Sequence, residues 1–353
     1  MLRQLRKIDH INHALKEPDI PMAGFADIFI LHNSIPELNW ADLDTGSVFL
    51  NKSLSAPLII NAMTGGHPDL EHINGSLAEA ARKAGIAMAL GSQRAALEDE
   101  TVIDTFKVVR RENPHGVVIA NLNAGCTPLE AKKAVQMVQA DAIQLHVNVP
   151  QELAMAEGDR DFKGVLAAIS EVAQQLTVPV IVKEVGFGMS KETVAKLYRA
   201  GVKMVDISGR GGTNFISIEE SRTSKERAKL EGVSNWGIST VISLVEAKSL
   251  NLPIHITASG GLRTAHDLAK SLALGADLVG ISRPFLETLI NEGKEALNRH
   301  LEELIRGLKK IMLMSGCKTI ACLQQVPVIV TGSSAHWLKL RGIDLKKLAQ
   351  RQG

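Results

Sequence analysis

From residue 56 onward the chain alternates between short apolar runs and longer amphipathic stretches. The apolar runs fall at 58–62, 86–90, 117–121, 142–146, 180–183, 204–207, 254–258 and 278–281. They are apolar at consecutive positions rather than at every second one, which predicts strands buried on both faces. Helical periodicity follows each run, at 70–84, 102–112, 128–139, 163–176, 191–200, 237–249, 265–274 and 284–291. Strands each followed by a helix predict a parallel sheet covered by helices. Eight such units at this length favour an α/β fold of the closed (β/α)8 TIM-barrel type. The alternative, an open doubly wound sheet, has no reason to stop at eight.

The pattern divides the chain into a lead-in segment over 1–55, a barrel over 56–294 and a helical extension over 295–353 packed on the barrel. Residues 18–55 show turn residues and little periodicity, as expected of a layer covering one end. Residues 295–314 read as one or two further helices. Between Gly209 and Asn235 a long polar segment replaces the expected short loop. Segments of this length inside a compact domain are usually lids or disordered.

Composition narrows the picture modestly. With 45% hydrophobic and 22% charged residues in 353, the chain is expected to be globular. A net charge of +2 is too small and dispersed to predict a nucleic-acid partner. Cys126, Cys317 and Cys322 form no metal-binding pattern and are too few for a disulfide scaffold. No apolar run reaches membrane-spanning length and the first residues lack a signal region, so the expectation is a cytoplasmic protein without a membrane partner.

The candidate chemistry gathers where barrel strands would end. Past the fourth run come His146, Asn148, Gln151 and Glu152, a set able to hydrogen-bond an anion and hold one hard metal ion through Glu152. The first run leads into Ala62, Met63 and Thr64 before two glycines, and the second into Ser92 and Arg94. Asn121 ends the third, Lys183 the fifth, and Ser208 with Thr213 follows the sixth. Gly260 and Gly261 after the seventh, with Ser282 and Arg283 after the eighth, match the usual phosphate site of such barrels. Lys183 ends an apolar run, so it is either a functional cation or a snorkelling surface group. Arg6, Lys7 and His10 would share one face of an N-terminal amphipathic helix, as a solvated basic face or as a phosphate clamp.

Taken in order, Arg6-Lys7-x-x-His10, the run from Ala62 to Gly66, Gly91-Ser92-Gln93-Arg94, His146-x-Asn148-x-x-Gln151-Glu152, Lys183-Glu184, the run from Gly209 to Thr213, the run from Ser259 to Arg263 and the tail His336-Trp337-Leu338 resemble one family. That family is the type 2, FMN-dependent isopentenyl-diphosphate isomerases, and the resemblance covers nearly the whole chain. Pro150 and the Gly332-Ser333-Ser334 stretch depart from its commonest pattern without removing a side chain of interest.

The resemblance implies interconversion of isopentenyl and dimethylallyl diphosphate with reduced FMN and Mg2+. It implies that Arg6, Lys7, His10, Ser92, Arg94, His146 and Asn148 bind the diphosphate and that Glu152 holds Mg2+. Gln151 would act near the reacting carbons, with the flavin N5 as acid and base. FMN would contact Ala62, Met63, Thr64, Ser92, Asn121, Lys183, Ser208 and Thr213, with Lys183 beside N1 favouring the anionic reduced ring. Its phosphate would rest on Gly260, Gly261, Ser282 and Arg283. NADPH would serve only to reduce FMN, and a homo-oligomer, tetramer or octamer, is expected. Two other readings stay open at this point: an FMN-dependent 2-hydroxy-acid oxidase on the same barrel, and a non-catalytic flavin- or phosphate-binding protein.

Overall fold

The computed structural model describes residues 9, 13, 15, 22–222 and 233–352. Arg6, Lys7 and His10 therefore lie outside the described residues. The strands in chain order are β1 (Ile28–Ile30), β2 (Ser47–Phe49), β3 (Lys52–Leu54), β4 (Leu58–Ile60), β5 (Ala87–Ala89) and β6 (Val118–Asn123). They continue with β7 (Ala142–Val147), β8 (Val180–Glu184), β9 (Met204–Asp206), β10 (His255–Ser259), β11 (Leu278–Ile281) and β12 (Val328–Val330).

Strands β4 to β11 form a closed parallel barrel of eight, sealed where Val279, Gly280 and Ile281 of β11 pair with Leu58, Ile59 and Ile60 of β4. The expected (β/α)8 architecture is the observed one. Within the barrel each predicted strand and helix has its counterpart, because residues buried on both faces of a parallel strand leave a continuous apolar run. Local signals set several helix ends. Helix Pro128–Val138 starts on a capping box between Thr127 and Glu130, and helix Ala265–Ala273 on one between Thr264 and Asp267. Helix Glu71–Ala84 stops at Gly85, whose φ of 64° is the left-handed cap that favours glycine.

Two features were not evident in the pattern. The lead-in segment contains a hairpin, β2–β3, that closes the bottom of the barrel. Its Phe49 and Leu54 pack against Ile59, Ala87, Ile119, Ile181 and Leu278, so the lower barrel is filled by side chains. The hairpin turns through Leu50 and Asn51, both at positive φ (51° and 60°). Such turns are normally announced by Asn-Gly or Asp-Gly, and leucine there gives no signal. The second feature is antiparallel pairing of β1 with β12, which joins the two ends of the chain beside the barrel.

Residues 295–314 belong to one helix, Lys294–Met314, packed on helices Ala265–Ala273, Arg283–Glu292 and Glu71–Ala84. The region after it carries a strand as well as helices. Helix Gly332–Leu340 is tied to helix Thr240–Lys248 through the buried Glu246 carboxylate, which accepts from Trp337 Nε1 at 3.0 Å and Arg341 Nε at 2.9 Å. No helix among the described residues is long and apolar enough to cross a membrane.

Candidate active site

A cavity of about 490 Å³ opens at the carboxyl ends of the barrel strands. Ala62, Met63, Ser92, Arg94, Asn121, His146, Asn148, Gln151, Glu152 and Lys183 line it. So do Ser208, Thr213, Gly260, Gly261, Ser282 and Arg283. Of the described residues singled out from the sequence, Thr64 alone lies behind the wall. It is buried, and its hydroxyl has no hydrogen-bond partner among the described residues.

Lys183 is almost fully buried, which excludes a snorkelling surface group. Its Nζ sits 3.1 Å from Asp206 Oδ2 and donates to the Glu184 carbonyl at 2.9 Å. A buried charge is tolerated when paired and hydrogen-bonded, and Asp206 at the end of β9 supplies that partner. Asp206 also accepts from Asn61 Nδ2 at 2.6 Å, Ser259 Oγ at 2.5 Å and the Ser208 N–H at 3.2 Å. Ser208 itself is held at φ 28°, an unusual conformation for a residue with a Cβ.

A chain of buried amides continues from Asp206 across the barrel. Asn61 accepts from Gln144 Nε2 at 3.0 Å, Gln144 accepts from Asn121 Nδ2 at 3.2 Å, and Asn121 Oδ1 lies 2.9 Å from His146 Nδ1. Four strand ends, from β9, β4, β6 and β7, are thereby wired together beneath the cavity.

Beside Asp206 the loops after the neighbouring strands β9 and β10 pack backbone to backbone. A Cβ on Gly260 would come within 2.0 Å of the Gly209 carbonyl, and one on Gly261 within 2.2 Å of the Gly211 carbonyl. Both glycines have positive φ, 98° and 77°, so both conformation and space demand them. Next to them helix Arg283–Glu292 begins at Ser282, with no side chain capping its first N–H groups. Uncapped N–H groups at a helix start favour an anion. Arg283 is drawn back to Glu287, its Nε 2.6 Å from Oε1.

These features fit a flavin phosphate and ring: bare backbone, an uncapped helix start, a buried cation and the orphan hydroxyl of Thr64. The fit rests on residues at the ends of five strands, β4, β8, β9, β10 and β11.

Pro150 lies at a helix start. Helix Val149–Ala154 follows β7 directly, with Pro150 in its first turn, where its missing N–H leaves no bond unmade. Gln151 is thereby buried, accepting from Asn148 Nδ2 at 3.1 Å and donating to Glu219 Oε1 at 2.9 Å. Glu152 accepts from Asn148 Nδ2 at 2.9 Å and the Asp159 N–H at 2.9 Å. Among the described residues no group of three or more His, Cys, Asp or Glu could hold a metal ion by itself. A magnesium ion here would take Glu152 and complete its shell with ligand oxygens and water, its common mode.

Arg94 lines the cavity yet spends its guanidinium on the protein. It is ion-paired with Glu130, and its Nη2 donates to Asn123 Oδ1 at 3.0 Å. The Arg94 hydrogen bond, first among the causes, lowers the Glu130 pKa to about 2.

Sequence reading missed Asp206, Gln144 and Glu219. Asp206 and Gln144 are polar residues inside otherwise apolar runs, and that interruption was their available signal. Glu219 sits in the long polar segment, on helix Phe215–Arg222, whose Phe215 and Ile218 also line the cavity. It is fully buried and paired with Arg222.

Comparison with known proteins agrees with this geometry. A family model described as FMN-dependent dehydrogenase matches residues 101–329. The isopentenyl-diphosphate delta-isomerase of Geobacillus sp. is 48% identical over 347 residues, covering 98% of this chain and 99% of that protein. That of Moorella thermoacetica is 46% identical over 339 residues, covering 96% and 97%. Among solved structures, mandelate oxidase with (S)-4-hydroxymandelic acid matches with a TM-score of 0.66 over 93% of this chain and 97% of that one. At 16% identity this likeness shows the barrel fold alone. Full-length identity to the isomerases, on an FMN-type barrel, settles the assignment: the chain belongs to the type 2, FMN-dependent isopentenyl-diphosphate delta-isomerase family.

Proposed function

We propose that this cavity interconverts isopentenyl diphosphate and dimethylallyl diphosphate by adding a proton at the terminal alkene carbon and removing one from C2, without net oxidation. The observation that carries the reading is the pairing of a buried cation and a glycine cradle with a β7 loop rich in amides. That inventory suits an anionic ligand and a proton transfer better than a hydride transfer from a hydroxy acid.

When bound, reduced FMN supplies an acid–base nitrogen and an electron-rich face for the carbon skeleton. Gly260, Gly261, Ser282 and Arg283 would hold its phosphate. Ala62, Met63, Thr64, Ser92, Asn121, Ser208 and Thr213 would bound the ring, with Lys183 favouring its anionic reduced state.

The diphosphate falls to Ser92, Arg94, His146 and Asn148, joined by Arg6, Lys7 and His10. Arg94 would exchange part of its pairing with Glu130 and Asn123 for phosphate oxygens. Glu152 would anchor a magnesium ion that offsets the diphosphate charge. Gln151, held by Asn148 on one side and Glu219 on the other, is oriented to position or relay a proton at the reacting carbon. NADPH enters only to reduce FMN at the outset. The reading includes a cytoplasmic homo-oligomer, tetramer or octamer.

The test is an anaerobic incubation of the protein with FMN, Mg2+ and isopentenyl diphosphate, with and without NADPH. Dimethylallyl diphosphate in large excess over NADPH consumed is the expected result. Absence of product with reduced FMN demonstrably bound would overturn the substrate assignment.

A further inference from the structure

The amide chain beneath the cavity has a direction. Asp206 is a carboxylate that takes part here only as an acceptor, so Asn61 must turn its NH2 toward it, at 2.6 Å. A second anchor agrees, since the Ala62 backbone N–H can only donate and meets Asn61 Oδ1 at 2.9 Å. With its oxygen so placed, Asn61 receives the NH2 of Gln144 at 3.0 Å, which turns the Gln144 oxygen to the NH2 of Asn121 at 3.2 Å. Asn121 is left with its oxygen 2.9 Å from His146 Nδ1. An amide oxygen cannot donate, so Nδ1 must carry a proton. The polarity set at Asp206 thus arrives at His146 through three amides.

We propose that this chain locks His146 in the form protonated at Nδ1, with Gln144 as the positioning residue, so that His146 can grip a phosphate oxygen only as the imidazolium. The inference rests on the reading that a diphosphate enters this cavity. With Nδ1 committed inward, contact from His146 to a ligand passes through Nε2. A neutral ring would turn the Nε2 lone pair toward an anion, which repels; the imidazolium turns an N–H toward it. Proton uptake and diphosphate binding are therefore linked. Gln144 is buried and outside the cavity wall, so it acts through Asn121 rather than on the ligand.

Among the described residues, the charged groups on the strands and loops beside His146 have partners of their own. Lys183, its register partner on β8, pairs with Asp206. Glu184 on the same strand accepts from three backbone N–H groups, those of Val185, Gly186 and Phe187. On the β6 side Arg94 pairs with Glu130, and in the loop after β7 Glu152 is held by Asn148 and Asp159.

The experiment uses FMN holoenzyme labelled with [15N]histidine, without substrate, at a pH where the ring is neutral. Long-range 1H–15N correlation reads which nitrogen holds the proton, with His146 identified by its loss in His146→Gln. A proton on Nδ1 is expected, against the Nε2 preference of free histidine; a proton on Nε2 would overturn the inference. Titration of the oxidised holoenzyme with isopentenyl diphosphate and Mg2+ supplies a second readout. The Kd is expected to rise toward tenfold per pH unit above the His146 pKa. In Gln144→Met the chain is cut, the proton should move to Nε2, and the pH dependence should flatten to less than twofold per unit. An unchanged slope in that variant, with the fold intact, would overturn the role of Gln144. Failure of isopentenyl diphosphate to bind at any pH would overturn the functional reading itself, while the resonance would still report the tautomer.

Discussion

Gln151 donates its side-chain amide to Glu219 across 2.9 Å, joining the loop after β7 to helix Phe215–Arg222. The two residues are 68 apart in the chain, and both are buried. Glu219 is itself paired with Arg222, so the amide is held against a fixed carboxylate. Replacing Glu219 by Ala should leave Gln151 mispointed at the reacting carbon. A fall in kcat on the order of 100-fold is expected, with KM for isopentenyl diphosphate changed far less. Steady-state kinetics under reducing conditions would decide, and an unchanged kcat would remove Gln151 orientation from the mechanism.

Lys183 and Asp206 form a buried ion pair, and removing one charge strands the other. Lys183→Met should destabilise the protein by about 3–5 kcal/mol and lower the FMN retained through gel filtration. The double variant Lys183→Met with Asp206→Asn should recover much of the stability yet still retain less FMN. Denaturation curves and flavin absorbance separate the two effects. Recovery of FMN binding in the double variant would contradict a direct role for the lysine.

Burial pushes the Glu184 carboxyl up to about 7, against the three backbone N–H groups that favour its charged form. In the unfolded chain it titrates near the ordinary value of 4.5. Between those two pH values the folded state holds more protons, so this group's contribution to stability falls as pH rises. Glu184→Gln lacks that cost. Relative to wild type, the variant should gain on the order of 3 kcal/mol between pH 4.5 and pH 8. Urea titrations of both proteins across that range would show it, and a parallel pH dependence in the two would refute it.

Glu152 carries the proposed magnesium site. Glu152→Gln keeps a hydrogen-bonding group beside Asn148 and removes the charge. The Mg2+ concentration giving half-maximal activity should rise roughly 10- to 100-fold, with activity partly restored at saturating metal. Identical metal titrations in both proteins would place the ion elsewhere.

How much of this was legible beforehand follows from which interactions are local. Burial on both faces of a strand is written residue by residue, so eight apolar runs identified the barrel and its order. The same logic placed Lys183, His146, Gln151 and Gly260 at strand ends, because a run's end is visible where it stops. Capping boxes and left-handed glycines likewise act within a few residues. Partners across the barrel do not. Asn61 finds Asp206 across 145 positions and Gln144 finds Asn61 across 83, and an amide within an apolar run carries no mark of what it will meet. The hairpin under the barrel turns on a leucine at positive φ, and β1 meets β12 from opposite ends of the chain. Hydrogen-bond direction is a property of the closed ring of strands: only once it brings a carboxylate, three amides and an imidazole into line does the polarity of one fix the proton of another.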